Sequence, residues 1–341
     1  MKLLDIIEEI PDPRMLGKIK HSLSTIIFVS LCGILSGCET WNDIKDYCRV
    51  KKAWLSKYVS VCNGIPSGDT FRRVFVLLDS NNIEYLLRTH ASAIVNNGSP
   101  TDQIAVDGKA LRGSKRLNPK CLYSVSAWCH ENSIVLGEQD VDGKSNEITA
   151  IPLLLESLDL EGKTITIDAA GCQKSITKLI TEKKGDYVLG LKRNHATLFN
   201  AAQELIELEG EHDENRLSDY FDNSHGRNVR RRYFGYDASS LTEIKDWDGA
   251  KTIIAVESIS SKNKDANQKV TAEWRYYLSS HKLTEKRLPG YIRHHWGIEN
   301  KLHWDLDVHL NEDNDQKSEQ DSARSFALLK RIAVNIVRTK D

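Results

Sequence analysis

Residues 163–192 read KTITIDAAGCQKSITKLITEKKGDYVLGLK, and they decide the fold class. KTITIDAA is a short apolar run rich in β-branched residues, which suits a buried strand. QKSITKLITEKK (173–184) follows with helical spacing, and DYVLGLK (186–192) completes the unit as another strand. Working outward, QIAVDGKAL (103–111), LYSVSAWCH (122–130) and IVLGEQDVD (134–142) are three short apolar runs separated by polar breaks. They read as an antiparallel meander, and NEITAIPLLLESL (146–158) after them as an amphipathic helix. The order is three strands, helix, strand, helix, strand. It predicts an α/β fold built on a mixed sheet with helices packed on it, not an alternating doubly wound sheet.

Further from this centre the texture changes twice. Residues 20–90 read as helical: KHSLSTIIFVSLCGILSG (20–37) is apolar, and ETWNDIKDYCRVKKAWLSKYV (39–59) mixes apolar and charged residues at helical spacing. After NGIPSG, a helix is expected to begin at Asp69 and Thr70, and TFRRVFVLLD then places two arginines on one early turn. Helix–loop–helix spacing with a basic second helix permits DNA contact; a helical bundle with a solvated basic edge is the alternative. NNGSPTD (96–102) links this region to the sheet. On the other side, NHATLFNAAQELIELEG is a helix. Residues 211–285 are then polar and strand-like, with RRRYFGYD, KTIIAVESIS and AEWRYYLSS as strands. The chain returns to helix through RHHWGIENKLHW (293–304) and SARSFALLKRIAVNIVR (322–338). Domain boundaries are expected at 1–95 for the helical region, read as a DNA-binding domain, and 101–341 for the sheet domain, with a β-rich segment at about 211–285.

Composition narrows the function classes. With 40% hydrophobic and 28% charged residues, the 341-residue chain is an ordinary globular protein. A formal net charge of −1 gives no global pull on nucleic acid, so any DNA surface must come from local basic clusters. Seven scattered cysteines without a CxxC pair suit a reducing cytoplasm rather than a disulfide framework or zinc ribbon. The apolar run at 23–38 falls short of the roughly 20 residues that span a bilayer, and no membrane partner is expected.

Two aspartates stand out by position. Asp107 in IAVDGKALRG and Asp168 in TITIDAAGCQ each close a buried-looking strand. A carboxylate there costs free energy unless it is paired, hydrogen-bonded or metal-bound; an Asp before Gly is also a common turn residue. If the two strands are neighbours, the carboxylates repel each other, and a divalent cation removes that repulsion. Oxygen-only ligands favour Mg²⁺ or Mn²⁺, and a third carboxylate on a packed helix would complete a two-metal site suited to phosphodiester chemistry. Glu299 is the natural third. A zinc site from His295, Glu299 and His303 is the competing arrangement. On a regular α-helix, however, the two histidines stand about 12 Å apart, too far to share one ion at bonds of roughly 2 Å. Asp305, Asp307, Glu312 and Asp313 crowd the same end and could supply an auxiliary acid.

VDGKALRGS, TIDAAGCQ, DYVLGLKRNH, RHHWGIENKLHWDLDV and NEDN together resemble the H-repeat-associated transposases of bacterial insertion sequences, DDE transposases with an RNase H-like core. The likeness runs from the DPR near the N-terminus to FALLKRIAVNIVR. It implies that Asp107, Asp168 and Glu299 are the catalytic, metal-binding triad, using Mg²⁺ with Mn²⁺ able to substitute. It also implies that the β-rich segment is inserted between the fifth strand and the Glu-bearing helix. The wider superfamily spaces Tyr, Arg, Glu and Lys as Y-x₂-R-x₃-E-x₆-K; here Tyr291 and Arg293 stand at other intervals, and Leu306 replaces the Lys.

The activity this implies is metal-dependent cleavage at the ends of an insertion element and strand transfer into target DNA. A DNA nuclease without strand transfer, or a domesticated DNA-binding protein with weak catalysis, are the alternatives. The expected partner is double-stranded DNA, both terminal repeats and target, with a homodimer on DNA because two ends are cut. The expected location is the bacterial cytoplasm, on the nucleoid when DNA is bound. Basic segments at 109–116, 191–195 and 227–232 supply Lys109, Arg112, Lys192, Arg193, Arg230, Arg231 and Arg232 as DNA contacts, joined by Arg293, His294 and Lys301. Trp274 is a candidate for stacking on an unpaired base.

Overall fold

The computed structural model describes residues 2–116, 121–141, 147–223, 227–262, 271–317 and 319–339. Six helices come first: α1 (Leu3–Glu8), α2 (Leu23–Leu35), α3 (Trp41–Val50), α4 (Lys52–Leu55), α5 (Gly68–Leu77) and α6 (Ser80–Asn97). Three strands follow, β1 (Gln103–Leu111), β2 (Leu122–Cys129) and β3 (Ile134–Val141). Next come α7 (Glu147–Glu156), β4 (Thr164–Ile167), α8 (Lys174–Glu182), β5 (Asp186–Leu191) and α9 (Ala196–Glu209). Four more strands, β6 (Arg216–Asp222), β7 (Arg227–Asp237), β8 (Thr252–Lys262) and β9 (Thr271–Ser279), precede α10 (Leu288–His295) and α11 (Gln320–Arg338). The hydrogen-bonded strand order is β3-β2-β1-β4-β5-β9-β8-β7-β6, a nine-stranded mixed sheet. No helix among the described residues is long and apolar enough to cross a membrane.

The chain divides into two compact units. The first comprises Met1–Thr101, Gly108–Asn146 and Gly297–Asp341. Its helices begin where short polar side chains can take orphan amides: Ser22 accepts from Thr25, and Thr40 and Asp43 form a reciprocal capping box. Ser67, not Asp69, caps α5; Asp69 falls inside the first turn, where a carboxylate complements the helix dipole. The single helix expected over 39–59 is broken at Lys51 into α3 and α4. Trp41, Ile44 and Cys48 are buried before the break, and the change of direction buries Leu55 after it. Trp41 lies flat against Phe75, ring centroids 4.8 Å apart, and edge-on to Phe326 of α11 at 5.0 Å. On β3, the amide of Asn335 in α11 both accepts from and donates to the Val135 backbone, at 2.7 and 2.8 Å. That pairing satisfies backbone groups on an edge strand that would otherwise be open.

The second unit comprises Asp102–Asp107 and Glu147–Trp296. Here β1, β4 and β5 run parallel, and β5 pairs antiparallel with β9 through Leu189 and Leu278. Strands β9, β8, β7 and β6 continue the sheet antiparallel. Strand β6 has no counterpart among the three strands expected at 211–285, because its residues RLSDYFD are polar or exposed and carry no buried alternation. Helix α10 packs Leu288, Tyr291 and Ile292 against Val188, Tyr233, Ile254 and Val256.

Candidate active site

Parallel pairing of β1 with β4 places Gln103 opposite Thr164 and Val106 opposite Ile167. Asp107 and Asp168 are the next residues of each strand, so the two carboxylates follow the last paired couple side by side in the second unit. Asp168 is exposed and Asp107 half-buried. The turn after β4 is built around Asp168: its Oδ1 accepts the backbone N–H groups of Ala170 at 3.0 Å and Gly171 at 3.4 Å. A Cβ on Gly171 would come within 2.3 Å of the Ile167 side chain, and one on Gly190 of β5 within 3.1 Å of the Ala169 nitrogen. Asn194 ties down the Ala169 carbonyl from the far side of β5 at 2.8 Å. Glycine at these two positions lets the sheet carry Asp168 at such close range.

A buried network anchors α10 to the same strands. The Gln103 amide donates to Thr166 Oγ1 at 3.1 Å and to the Tyr291 carbonyl at 2.8 Å. His295 Nδ1 pairs with Thr166 Oγ1 at 3.0 Å. Burial pushes the His295 imidazole down to about 4, with Asp168 opposing the shift, so the ring is neutral near pH 7.

Glu299 belongs to the first unit and is exposed. The segment that carries it corrects one expectation: it is no regular α-helix. Helix α10 stops at His295, and Ile298–His303 and Asp305–His309 form wider π-helical turns with i→i+5 bonds. The 12 Å spacing derived for His295 and His303 therefore does not apply. Among the described residues, no group of three or more His, Cys, Asp or Glu is arranged to hold a metal ion. The pair Asp107 and Asp168 supplies an oxygen-only donor set that suits a hard divalent cation.

The acids downstream of Glu299 are occupied internally. Lys109, expected on DNA, is only 8% exposed, its ammonium 2.6 Å from Asp307, 3.5 Å from Asp313 and 3.6 Å from Glu312. Asp305 binds Arg338 at 2.6 Å, and Glu312 binds the buried Arg331. Arg112 is exposed with Asp313 at 3.3 Å, and Lys301 stands 3.4 Å from the Ser133 hydroxyl.

In the second unit, Lys192 and Arg193 are exposed just past β5, Arg193 lying over the Phe199 ring at 6.0 Å. Arg230 is bound by Asp219 at 2.5 Å, and Arg232 by Glu257 at 2.5 Å and Glu211 at 3.3 Å. Arg231 stands opposite Tyr220. Arg293 reaches Asp222 at 3.2 Å and lies over Tyr220, and His294 is exposed. Trp274 is half-buried and tilted against Phe234, 6.1 Å between centroids. The side chains of Lys115, Arg116 and Arg227 in the basic segments lie outside the described residues. A stacked pair with no sequence signal is Arg275 over Trp296 at 4.8 Å, brought together only by the fold.

Comparison with known proteins agrees with this frame. Residues 98–336 match the transposase DDE domain family, and residues 4–91 match a DDE_Tnp_1-associated domain. YncI of Escherichia coli O157:H7 is 38% identical, covering 98% of this chain and 87% of its own. The H repeat-associated YhhI of Escherichia coli (strain K12) is 36% identical, covering 98% of this chain and 90% of its own. Both carry the word transposase in their names. A solved piggyBac transposase synaptic complex with hairpin DNA matches with a TM-score of 0.40 and 11% identity over 98% of this chain and 75% of that one, a score too low to bear on the fold. With its sheet order and its paired strand-end aspartates, the chain belongs to the transposase DDE domain family, among the H repeat-associated transposases.

Proposed function

We propose that this transposase cleaves DNA at the ends of an insertion element and joins the freed ends to target DNA, with Asp107, Asp168 and Glu299 as its catalytic acids. The observation that carries the proposal is the placement of Asp107 and Asp168 at the same level of two adjacent parallel strands. Two carboxylates held together in this way are a poor arrangement for stability and a good one for binding Mg²⁺ or Mn²⁺. When bound, such a cation supplies Lewis-acid activation of the attacking oxygen and neutralises charge at the leaving oxygen. Asp168 has one oxygen engaged by the Ala170 and Gly171 amides, which fixes its carboxylate and leaves the second oxygen outside the turn. Glu299 enters as the third acid on the strength of its match to the family motif.

Arg112, Lys192, Arg193, Arg231, Arg293, His294 and Lys301 serve as contacts to DNA phosphates in this proposal. Lys109 is left out because its ammonium is buried among three carboxylates. Arg230 and Arg232 take part only by exchanging Asp219 and Glu257 for phosphate. A homodimer would hold two element ends together.

The test is to incubate purified protein with labelled element ends, a target duplex and Mg²⁺, and to size the products. Joined products support transposition; cleavage alone would reduce the protein to a nuclease, and no cleavage would overturn the proposal. A finer prediction concerns Gly190. Its replacement by Ala forces the Ala169–Asp168 backbone to give by a few tenths of an ångström, since the new Cβ meets the Ala169 nitrogen at 3.1 Å and the Asp168 carbonyl carbon at 3.3 Å. Cleavage should fall by about tenfold with little change in melting temperature, as misplacement of a reacting group costs rate before stability. An unchanged rate would show that Asp168 tolerates the shift.

A further inference from the structure

We propose that the N-terminal helical region holds the backbone of double-stranded DNA in a basic groove between residues 13–21 and helix α5, with Lys18 and Lys20 as its principal phosphate contacts. The inference rests on the transposase reading and adds a second DNA surface within the first unit. The groove encloses about 700 Å³. Arg14, Lys18, Lys20, His21 and Arg73 line it without an acidic residue; Asp12 and Asp69 beside it neutralise the two arginines, so its net charge comes from Lys18 and Lys20. In a chain whose formal net charge is −1, that is a strong local asymmetry.

The groove is preformed. The Arg14 guanidinium is clamped by Asp12 at 2.6 and 2.8 Å and donates to the His21 carbonyl at 2.8 Å. Asn63 holds the Lys20 carbonyl at 2.7 Å. The backbone of the turn is thus pinned, while the exposed ammonium groups of Lys18 and Lys20 have no ion-pair partner among the described residues. Burial lowers the His21 imidazole pKa, and Lys20 and Arg14 lower it further, as a concentrated positive field requires. Two large apolar side chains project beside these cations, Met15 at 72% and Leu16 at 90% exposure. Apolar tips flanked by Lys and Arg suit insertion into a DNA groove while the cations grip phosphate. Helix α5 forms a wall here and does not act as the recognition helix that its two arginines suggest. Arg72 is spent on Asp69 and Glu319, at 3.1 and 2.8 Å, Arg73 pairs with the other Asp69 oxygen at 2.8 Å, and Phe71, Val74 and Phe75 face the core.

The full-length protein and its Lys18→Ala/Lys20→Ala variant should be titrated by fluorescence anisotropy with a labelled random-sequence duplex of about 30 base pairs, between about 50 and 200 mM salt. Losing two phosphate contacts should flatten the slope of log affinity against log salt by about 2 and weaken binding ~10-fold at the lower salt. Both side chains are exposed, so the melting curve should match that of the wild type. An unchanged slope and affinity in the variant, with the wild type binding duplex, would overturn the groove and leave the transposase reading standing. A wild type that binds no duplex would overturn both. Vesicles of phosphatidylserine and phosphatidylcholine serve as the control for a lipid surface. If vesicle binding, and not duplex binding, is lost in the variant, the groove belongs to a membrane contact and the proposal fails.

Discussion

Replacing Asp168 by Asn is expected to cut Mg²⁺-dependent cleavage of element ends by more than about a hundredfold while leaving DNA binding and folding intact. The reasoning rests on what the side chain does in each role. Its structural role is to accept the Ala170 and Gly171 amides through one oxygen, and the Asn carbonyl oxygen can accept the same two N–H groups. Its chemical role requires negative charge beside Asp107, which Asn does not supply. The two roles therefore separate cleanly: melting temperature and end-binding report the first, cleavage the second. Removing a negative charge near the DNA path should, if anything, tighten phosphate binding slightly. Gel sizing of labelled ends with and without Mg²⁺ checks the prediction, and cleavage at the wild-type rate would refute the assignment of Asp168.

The aspartate pair was readable because two local signals coincide. Each residue ends an apolar β-branched run, and the alternation of strands and helices makes those runs neighbours; the register of Val106 with Ile167 then sets them level. The strands at 230–237, 251–260 and 272–280 were readable for the same reason, with buried Phe234, Ile254 and Leu278 marking them. The π-helical course around Glu299 was not. Residue spacing alone cannot distinguish i→i+4 from i→i+5 bonding, so distances taken along an ideal α-helix went astray there.

Charge was the least legible feature, because the partner of a cation is chosen by the fold and not by its neighbours in sequence. Lys109 sits in a run of basic residues, yet its carboxylates come from 307–313. The RRR at 230–232 looks like a phosphate grip, but Asp219 and Glu257, on the flanking strands, neutralise two of the three. The converse holds at Lys18 and Lys20, which stand among unremarkable residues and become a basic groove only when residues 13–21 pack beside α5. Long-range pairing thus neutralises cations that the sequence presents in basic runs and leaves Lys18 and Lys20 without an ion-pair partner among the described residues.

The same principle makes Arg331 the residue whose loss should cost most stability. It is fully buried in α11 and lies between Glu138 of β3 and Glu312, which are 3% and 2% exposed. Asn311, in the left-handed backbone region at φ 48°, turns the chain into Glu312. Arg331→Met would fill much of the volume but leave two interior carboxylates without their guanidinium, with Lys109, at 3.6 Å, and Lys330 still acting on Glu312. Removing one partner of a buried ionic cluster costs about 3–5 kcal/mol, and the melting midpoint should drop by about 10 °C. Acid should weaken the wild type through the same group. Burial alone would raise the Glu312 pKa, but Arg331 overrides it and holds the carboxyl below its ordinary value. Its contribution is therefore fully present above the usual carboxylate range and is lost as pH falls through the lowered folded value. In Arg331→Met that acid dependence should reverse, because protonating the stranded carboxylates now relieves the variant. Adding Glu138→Gln and Glu312→Gln to Arg331→Met should recover part of the loss, since the cost lies in the unpaired charges and not in the missing side chain. Urea unfolding of the three proteins at neutral and acidic pH distinguishes the cases, and a single variant within about 1 kcal/mol of wild type at neutral pH would refute the account.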